Sequence, residues 1–231
     1  MRDDIDIEGY AARHSDAEDD YLYRLWRATN IHTVHGFMAS GHLQGRLLKM
    51  LVMMQRPRLI LEVGTFSGYS AICLAQGLKE LDADKRQENV RRKVVTFEIN
   101  DEMEDFTRKW IDGSEVADYI DFRIGDAVRE APRLGLTFDM AFIDGDKRTY
   151  CETYTAVLPL ISPVGIILAD NTLWDGHVID KAYDHDAQTL GIRRFNDLVA
   201  ADDRVEKVII PIRDGLTVIR KKGEVLSGCW L

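Results

Sequence analysis

Leu59-Ile60-Leu61-Glu62-Val63-Gly64-Thr65-Phe66-Ser67-Gly68-Tyr69-Ser70 decides how this chain folds. Apart from Glu62 its first five residues are branched and apolar, the pattern of a short buried strand. Gly64 and Gly68 then permit a tight turn and a close approach of backbone to ligand. From Gly68 to Leu78 the pattern is helical, with Ile72, Ala75 and Leu78 facing inward. The spacing is not the G-x-G-x-x-G of dinucleotide binders. Glu62, just before the loop, would repel a pyrophosphate and favour an ammonium. A cofactor bearing an amino acid therefore fits better than a dinucleotide.

The same rhythm continues downstream. Val94–Glu98 reads as a strand, Asp101 as the cap of a helix from Glu102 to Ile111, and Ile120–Ile124 as a third strand. Phe138–Ile143 is the fourth, followed by a helix near Thr149–Leu160, and Val164–Ala169 is the fifth. A helix spans Thr189–Ala200, and Val205–Pro211 and Gly215–Arg220 can pair antiparallel. Alternating strands and helices predict a mostly parallel sheet covered on both faces. Ligands bind such sheets beyond the carboxyl ends of the strands. Upstream, residues 1–14 look poorly anchored. Ser15 and Glu18 suggest a capping box before a helix with Tyr21, Leu22, Leu25 and Trp26 on one face. A second helix, Leu43 to Met54, would bury Leu47, Leu48, Leu51 and Val52.

With 231 residues and no repeat or low-complexity linker, one large domain over 1–231 is expected, with 1–40 as N-terminal cap helices. Thirty basic against thirty-nine acidic side chains give a net charge of −9, which disfavours nucleic acid or an anionic membrane as partner. Cys73, Cys151 and Cys229 form no metal spacing and no disulfide framework, which suits a reducing cytoplasm. The acidic start, Met1 to Asp6, is no signal peptide, and no run of about 18 apolar residues predicts a membrane span.

Two of the strands stop at oxygen ligands. Phe138–Ile143 runs into Asp144-Gly145-Asp146-Lys147, and Gly165–Ala169 into Asp170-Asn171. Asp144, Asp170 and Asn171 together offer two carboxylates and an amide oxygen, a set suited to Mg²⁺ with its remaining positions left to water or substrate. Glu98 closes the second strand, where a carboxylate can accept both hydroxyls of a ribose. An ammonium at Lys147, three residues beyond Asp144, would be pushed towards its neutral form by a nearby cation and by desolvation.

Leu61–Ser70, Phe97–Asp101, Gly125-Asp126-Ala127, Ile143–Lys147 and Asp170-Asn171, in this order, resemble the cation-dependent, S-adenosylmethionine-using O-methyltransferases. That family includes catechol and caffeoyl-CoA O-methyltransferases. The resemblance runs from Met38 to Lys221. It implies a Rossmann-like class I methyltransferase fold, with seven mostly parallel strands, an antiparallel last strand and extra N-terminal helices. By the match, Ser40, Glu62, Gly64, Thr65 and Ser70 line the methionine part of the cofactor. Glu98 takes its ribose, Asp126 and Ala127 lie beside adenine, and Asp144 faces both cofactor and metal. Asp144, Asp170 and Asn171 hold Mg²⁺ (or Ca²⁺ or Mn²⁺), and Lys147 is the catalytic base. Gln44-Gly45-Arg46 keeps only the glycine of the family's triplet, so its neighbours receive no role. Dimerisation through the N-terminal helices is likewise carried over from the family.

The resulting expectation is a Mg²⁺-dependent O-methyltransferase acting on a small catechol-like or other vicinal-hydroxyl substrate. Alternatives are a tRNA hydroxyuridine O-methyltransferase on the same site and a non-catalytic S-adenosylmethionine-binding protein. His32, His35 and His42 have helical spacings that could suggest zinc, but no cysteine or carboxylate completes the set. Caps, surface positions or a lid suit them better. Asp146 reads as a helix N-cap. Trp174 and Tyr69 read as substrate walls or packing anchors. His177, Asp180 and His185 belong to a polar loop at the substrate mouth, and Asp184-His185-Asp186 to a solvated turn.

Overall fold

A computed structural model describes residues 6–83 and 90–222. Cys229 and the outer part of the acidic N-terminus lie outside them. Among the described residues there are seven strands: β1 Leu59–Val63, β2 Lys93–Glu98, β3 Ile120–Ile124, β4 Phe138–Ile143, β5 Ile161–Ala169, β6 Val205–Ile210 and β7 Leu216–Lys221. They hydrogen-bond in the order β3-β2-β1-β4-β5-β7-β6. The antiparallel strand is β7, inserted between β5 and β6 and antiparallel to both. Among the described residues eight α-helices accompany the strands: α1 Ile7–Arg13, α2 Asp20–His32, α3 His42–Gln55, α4 Tyr69–Asp82, α5 Glu104–Asp112, α6 Ala127–Arg133, α7 Tyr150–Val157 and α8 Ala187–Ala201. Among the described residues no helix is long and apolar enough to cross a membrane.

Contacts divide the chain into two compact units, Met1–Arg58 with Thr65–Gly125, and Leu59–Gly64 with Asp126–Leu231. In the first, α3 packs on α4. Gly45 makes this possible, because a Cβ there would lie 2.7 Å from Cys73 Sγ and 2.8 Å from the Tyr69 ring. The stripe that α3 buries is therefore Gln44, Gly45, Leu48 and Val52, with Leu47 and Leu51 only half-buried. In the second, the core is built on β4 and β5. Phe138, Met140, Ala141, Phe142 and Ile143 are fully buried, and Tyr150 and Tyr154 of α7 meet Phe195 of α8 edge-on. Burial on both sides explains why Met140–Ile143 and Ile166–Ala169 read as unbroken apolar runs.

Several boundaries differ from the sequence expectation. Residues 7–13 form α1, capped by Asp6, although it buries no residue. The cap of α2 is Asp19, whose carboxylate accepts from Tyr21 and Leu22 N–H. The capping box was not formed, because Ser15 Oγ donates to Ala11 O and Glu18 accepts from the Tyr69 hydroxyl instead. Trp26 remains 39 % exposed. Asn100, not Asp101, caps the turn after β2, and α5 begins only at Glu104. β5 starts three residues early, at Ile161, with a register shift opposite Phe138 and Met140 that accommodates Pro163.

Candidate active site

In the second unit the strand ends are stapled one to the next. Asp144 N–H donates to Val63 O at 2.8 Å, and Asp170 N–H to Ile143 O at 3.0 Å. Gly64 is required here, since its φ is +97° and a Cβ would fall 2.2 Å from Asp144 O. Glu62, one residue inside β1, is fully buried. The Tyr150 hydroxyl spans the carbonyls of Ile143 (3.2 Å) and Asp170 (3.0 Å), tying the ends of β4 and β5 together. Lys147 Nζ donates to that hydroxyl at 3.0 Å and to Asp144 Oδ1 at 2.7 Å. It also lies 6.0 Å from the centre of the Trp174 ring. Asp146 caps the turn holding Lys147, accepting from Arg148 N–H.

Asn171 adopts φ +56°, a left-handed conformation that asparagine tolerates better than most residues. Its N–H donates to Asp170 Oδ1 at 2.8 Å, and its side-chain nitrogen to Asp214 Oδ2 at 3.2 Å. Trp174, Asp175 and Gly176 are left-handed as well. The loop is held to the β6–β7 turn by Thr172 N–H to Gly215 O and by Leu173 and Trp174 N–H to Asp214 O.

These residues suit a hard cation. Asp144, Asp170 and Asn171 are oxygen donors at the ends of adjacent strands, and Asp214 engages the amide nitrogen of Asn171, which leaves its oxygen as the available donor. Among the described residues no three His, Cys, Asp or Glu side chains cluster as a metal set. The candidate set has two carboxylates and one amide.

For Lys147 the expected push from desolvation is present, and two contacts in the protein oppose it. Burial does disfavour its ammonium, but the Asp144 carboxylate and the Tyr150 hydroxyl outweigh burial and hold the group above the ordinary lysine value. In the protein alone the nearest charge is the carboxylate three residues back. Burial also raises Tyr150, with Asp144 and Asp170 adding to the shift against Lys147, so its phenol stays protonated.

In the first unit Glu98 closes β2 almost fully buried, and its two carboxylate oxygens accept from Phe66 N–H at 2.7 Å and Asn100 N–H at 2.9 Å. Thr65 and Thr96 hydroxyls lie 2.5 Å apart, and Thr107 Oγ1 donates to Phe66 O. Ser40 and Ser70 are buried, and Ser67 Oγ is buried with no hydrogen-bond partner among the described residues. The glycine loop is thus a rigid polar turn rather than a slack connection.

The O-methyltransferase family profile matches residues 12–222. The chain belongs to this family. Tricin synthase 2 of Oryza sativa subsp. japonica is 32 % identical over 216 residues, covering 88 % of this chain and 70 % of that protein. The catechol O-methyltransferase of Niastella koreensis is 32 % identical over 171 residues, 72 % of each chain. Among solved structures, the O-methyltransferase TomG of Streptomyces achromogenes, in complex with SAM, superposes with a TM-score of 0.80 at 29 % identity, covering 93 % of this chain and 95 % of that one. The chain is an O-methyltransferase in class.

Within this O-methyltransferase, Asp144, Lys147, Asp170 and Asn171 are gathered at the β4 and β5 ends, with Glu62 on neighbouring β1 and Gly64 just beyond its end. Thr65, Ser70 and Glu98 belong to the glycine loop and the β2 end of the other unit. Asp126 caps α6, accepting from Val128 N–H at 2.9 Å, and Ala127 opens that helix. His35 packs edge-on against Phe37 and His42 opens α3. His177 stacks on Tyr183 at 3.5 Å and Asp180 caps a short turn. The expected solvated turn carries two specific contacts: Asp184 pairs with Arg193, and Asp186 caps α8. Sequence reasoning missed Tyr150, Asp214 and Arg193. Tyr150 had a local signal, since it lies three residues beyond Lys147 on the same turn.

Proposed function

We propose that this O-methyltransferase transfers the methyl group of S-adenosylmethionine to one hydroxyl of a small catechol-like or other vicinal-hydroxyl substrate, with a divalent cation such as Mg²⁺ held by Asp144, Asp170 and Asn171. The observation that carries the reading is the side-chain network at the β4 and β5 ends, in which Lys147 sits between Asp144 and Tyr150 beside the Asp170-Asn171 corner. The catechol O-methyltransferase among its relatives supports the substrate class.

A bound divalent cation supplies positive charge that makes a coordinated hydroxyl more acidic. Asp144 would then share its negative field with that charge, which weakens its hold on the Lys147 proton. Having given its own proton to solvent, Lys147 Nζ would accept the substrate proton, and Tyr150 and Asp144 fix where that nitrogen stands. The substrate oxygen forms a bond to the methyl carbon as the carbon–sulfur bond breaks, and the sulfonium leaves as a neutral thioether. Trp174 gives the substrate ring an apolar wall beside Lys147. For the cofactor, Glu62 favours the ammonium of its methionine part, with Ser40, Gly64, Thr65 and Ser70 lining that end. Glu98 keeps acceptor capacity for ribose hydroxyls, and Asp126 and Ala127 border the adenine. A homodimer in the cytoplasm completes the proposal.

The test is methyl transfer to catechols, caffeoyl-CoA and undermodified tRNA, with and without Mg²⁺ and chelator. Activity on catechols that survives both chelator and Asp170→Ala would eliminate the cation.

A further inference from the structure

We infer that Asp214 is the positioning residue for the cation site: it holds the Asn171 amide so that its oxygen, not its nitrogen, faces the metal position. The inference rests on the cation reading above. An amide side chain presents either end with almost equal ease, so something must choose between them. The structure supplies one candidate. Asn171 Nδ2 donates to Asp214 Oδ2 at 3.2 Å, while its Oδ1 accepts no hydrogen bond among the described residues. Burial and then the neighbouring Asp175 carboxyl raise the Asp214 pKa, and the contact with Asn171 opposes that shift. The Asp214 oxygen that faces Asn171 is an acceptor, so it selects the nitrogen and turns the amide oxygen away from itself.

The carboxylate that makes this choice is itself fixed. Asp214 O accepts from both Leu173 N–H (2.6 Å) and Trp174 N–H (3.1 Å), and Gly215 O accepts from Thr172 N–H (3.0 Å). Gly215, at φ +87°, fits so closely that a Cβ would lie 2.5 Å from Leu173 Cγ. Thr217 Oγ1 closes the same junction by donating to Thr172 Oγ1 at 2.8 Å. The backbone of Asp214 therefore cannot drift relative to Asn171. Partners that orient metal ligands in this way are worth about 10–100-fold in metal affinity.

The test reads Mn²⁺ binding directly, by calorimetry and by the loss of free Mn²⁺ resonance, with no substrate present. Wild type should bind and Asp170→Ala should not. Asp214→Ala should weaken binding by about 10-fold or more. Asn171→Asp alone should also weaken it, because two carboxylates would then face each other. Combining it with Asp214→Asn reverses donor and acceptor and should recover affinity relative to Asn171→Asp, which a merely structural role for Asp214 would not produce. Wild-type affinity in Asp214→Ala, or a double variant no better than Asn171→Asp, overturns the inference while leaving the cation site standing. Should Asp214→Ala fail to fold, the donor–acceptor reversal decides. Equal binding by wild type and Asp170→Ala sinks the cation reading itself, and this inference with it.

Discussion

The carboxylate of Glu98, at the end of β2, accepts the N–H of Phe66 at 2.7 Å, in the middle of the glycine loop. Phe66 has φ +47°, a conformation its bulk disfavours, so the bond holds a turn the side chain alone would not choose. Glu98→Ala leaves that N–H without its partner. The expected cost is about 1–3 kcal/mol in denaturant unfolding, together with weaker binding of S-adenosylhomocysteine by calorimetry. Unchanged cofactor affinity in a folded variant would separate Glu98 from the cofactor.

Lys147→Met removes one member of a buried charge pair and leaves Asp144 uncompensated. Breaking such pairs costs about 3–5 kcal/mol, and Asp144, still partly open to water, argues for the lower end. Because the folded lysine is held above its ordinary value of about 10.4, its contribution is complete below that value. It is lost only as the pH rises through the folded value. The stability gap between wild type and variant should therefore stay flat from about pH 6 to 9 in urea unfolding, in the absence of divalent cations. A gap that closes across this window contradicts the ion pair. Methyl transfer in the same variant should fall by about 10²–10⁴-fold.

Asp202, at the end of α8, shows the opposite sign. Arg204 above all, then its own hydrogen bonds to Arg204 N–H and the Tyr154 hydroxyl, hold its carboxyl below the usual range. Its contribution is present above the unfolded aspartate value of about 3.9 and fades as the pH falls below it. Asp202→Asn should lower the midpoint of thermal unfolding at neutral pH and differ little from wild type in strong acid. Equal melting temperatures at neutral pH would refute the assignment.

Arg193 of α8 collects the loop between Trp174 and Asp184. Its guanidinium donates to the carbonyls of Val178, His177 and Asp180 and pairs with Asp184 at 2.7 Å. A lysine cannot reproduce that fork. Arg193→Lys should speed proteolytic nicking within residues 174–184 and raise KM for the methyl acceptor more than it lowers kcat. Protease resistance equal to wild type would show that other contacts hold the loop.

The strands were legible because each run is short and stops at a glycine, a proline or a polar residue, and the ends of β4 and β5 are buried on both sides. The positions of the candidate residues Asp144, Asp170 and Asn171 were legible as those just past the ends of β4 and β5, with Lys147 three residues beyond Asp144. Helix α1 was not, since a segment that buries no residue has no apolar stripe to read. α6 was missed too, with Pro132 and charged residues over its seven positions. The tie of Lys147 to Tyr150 was not anticipated, because spacing gave no account of the phenol three residues on. Asp214 lies forty-three residues beyond Asn171, and only the pairing of β7 with β5 brings the two together. No local spacing encodes that.

The insertion of β7 between β5 and β6 has a consequence for assembly. A growing chain presents Asp144, Lys147, Asp170 and Asn171 well before it presents Asp214. Until the hairpin turns back and slots its second strand against β5, the Asn171 amide is free to spin, and nothing ranks its two ends. On the proposal above, the corner is finished from the far end of the fold, once β7 has joined β5.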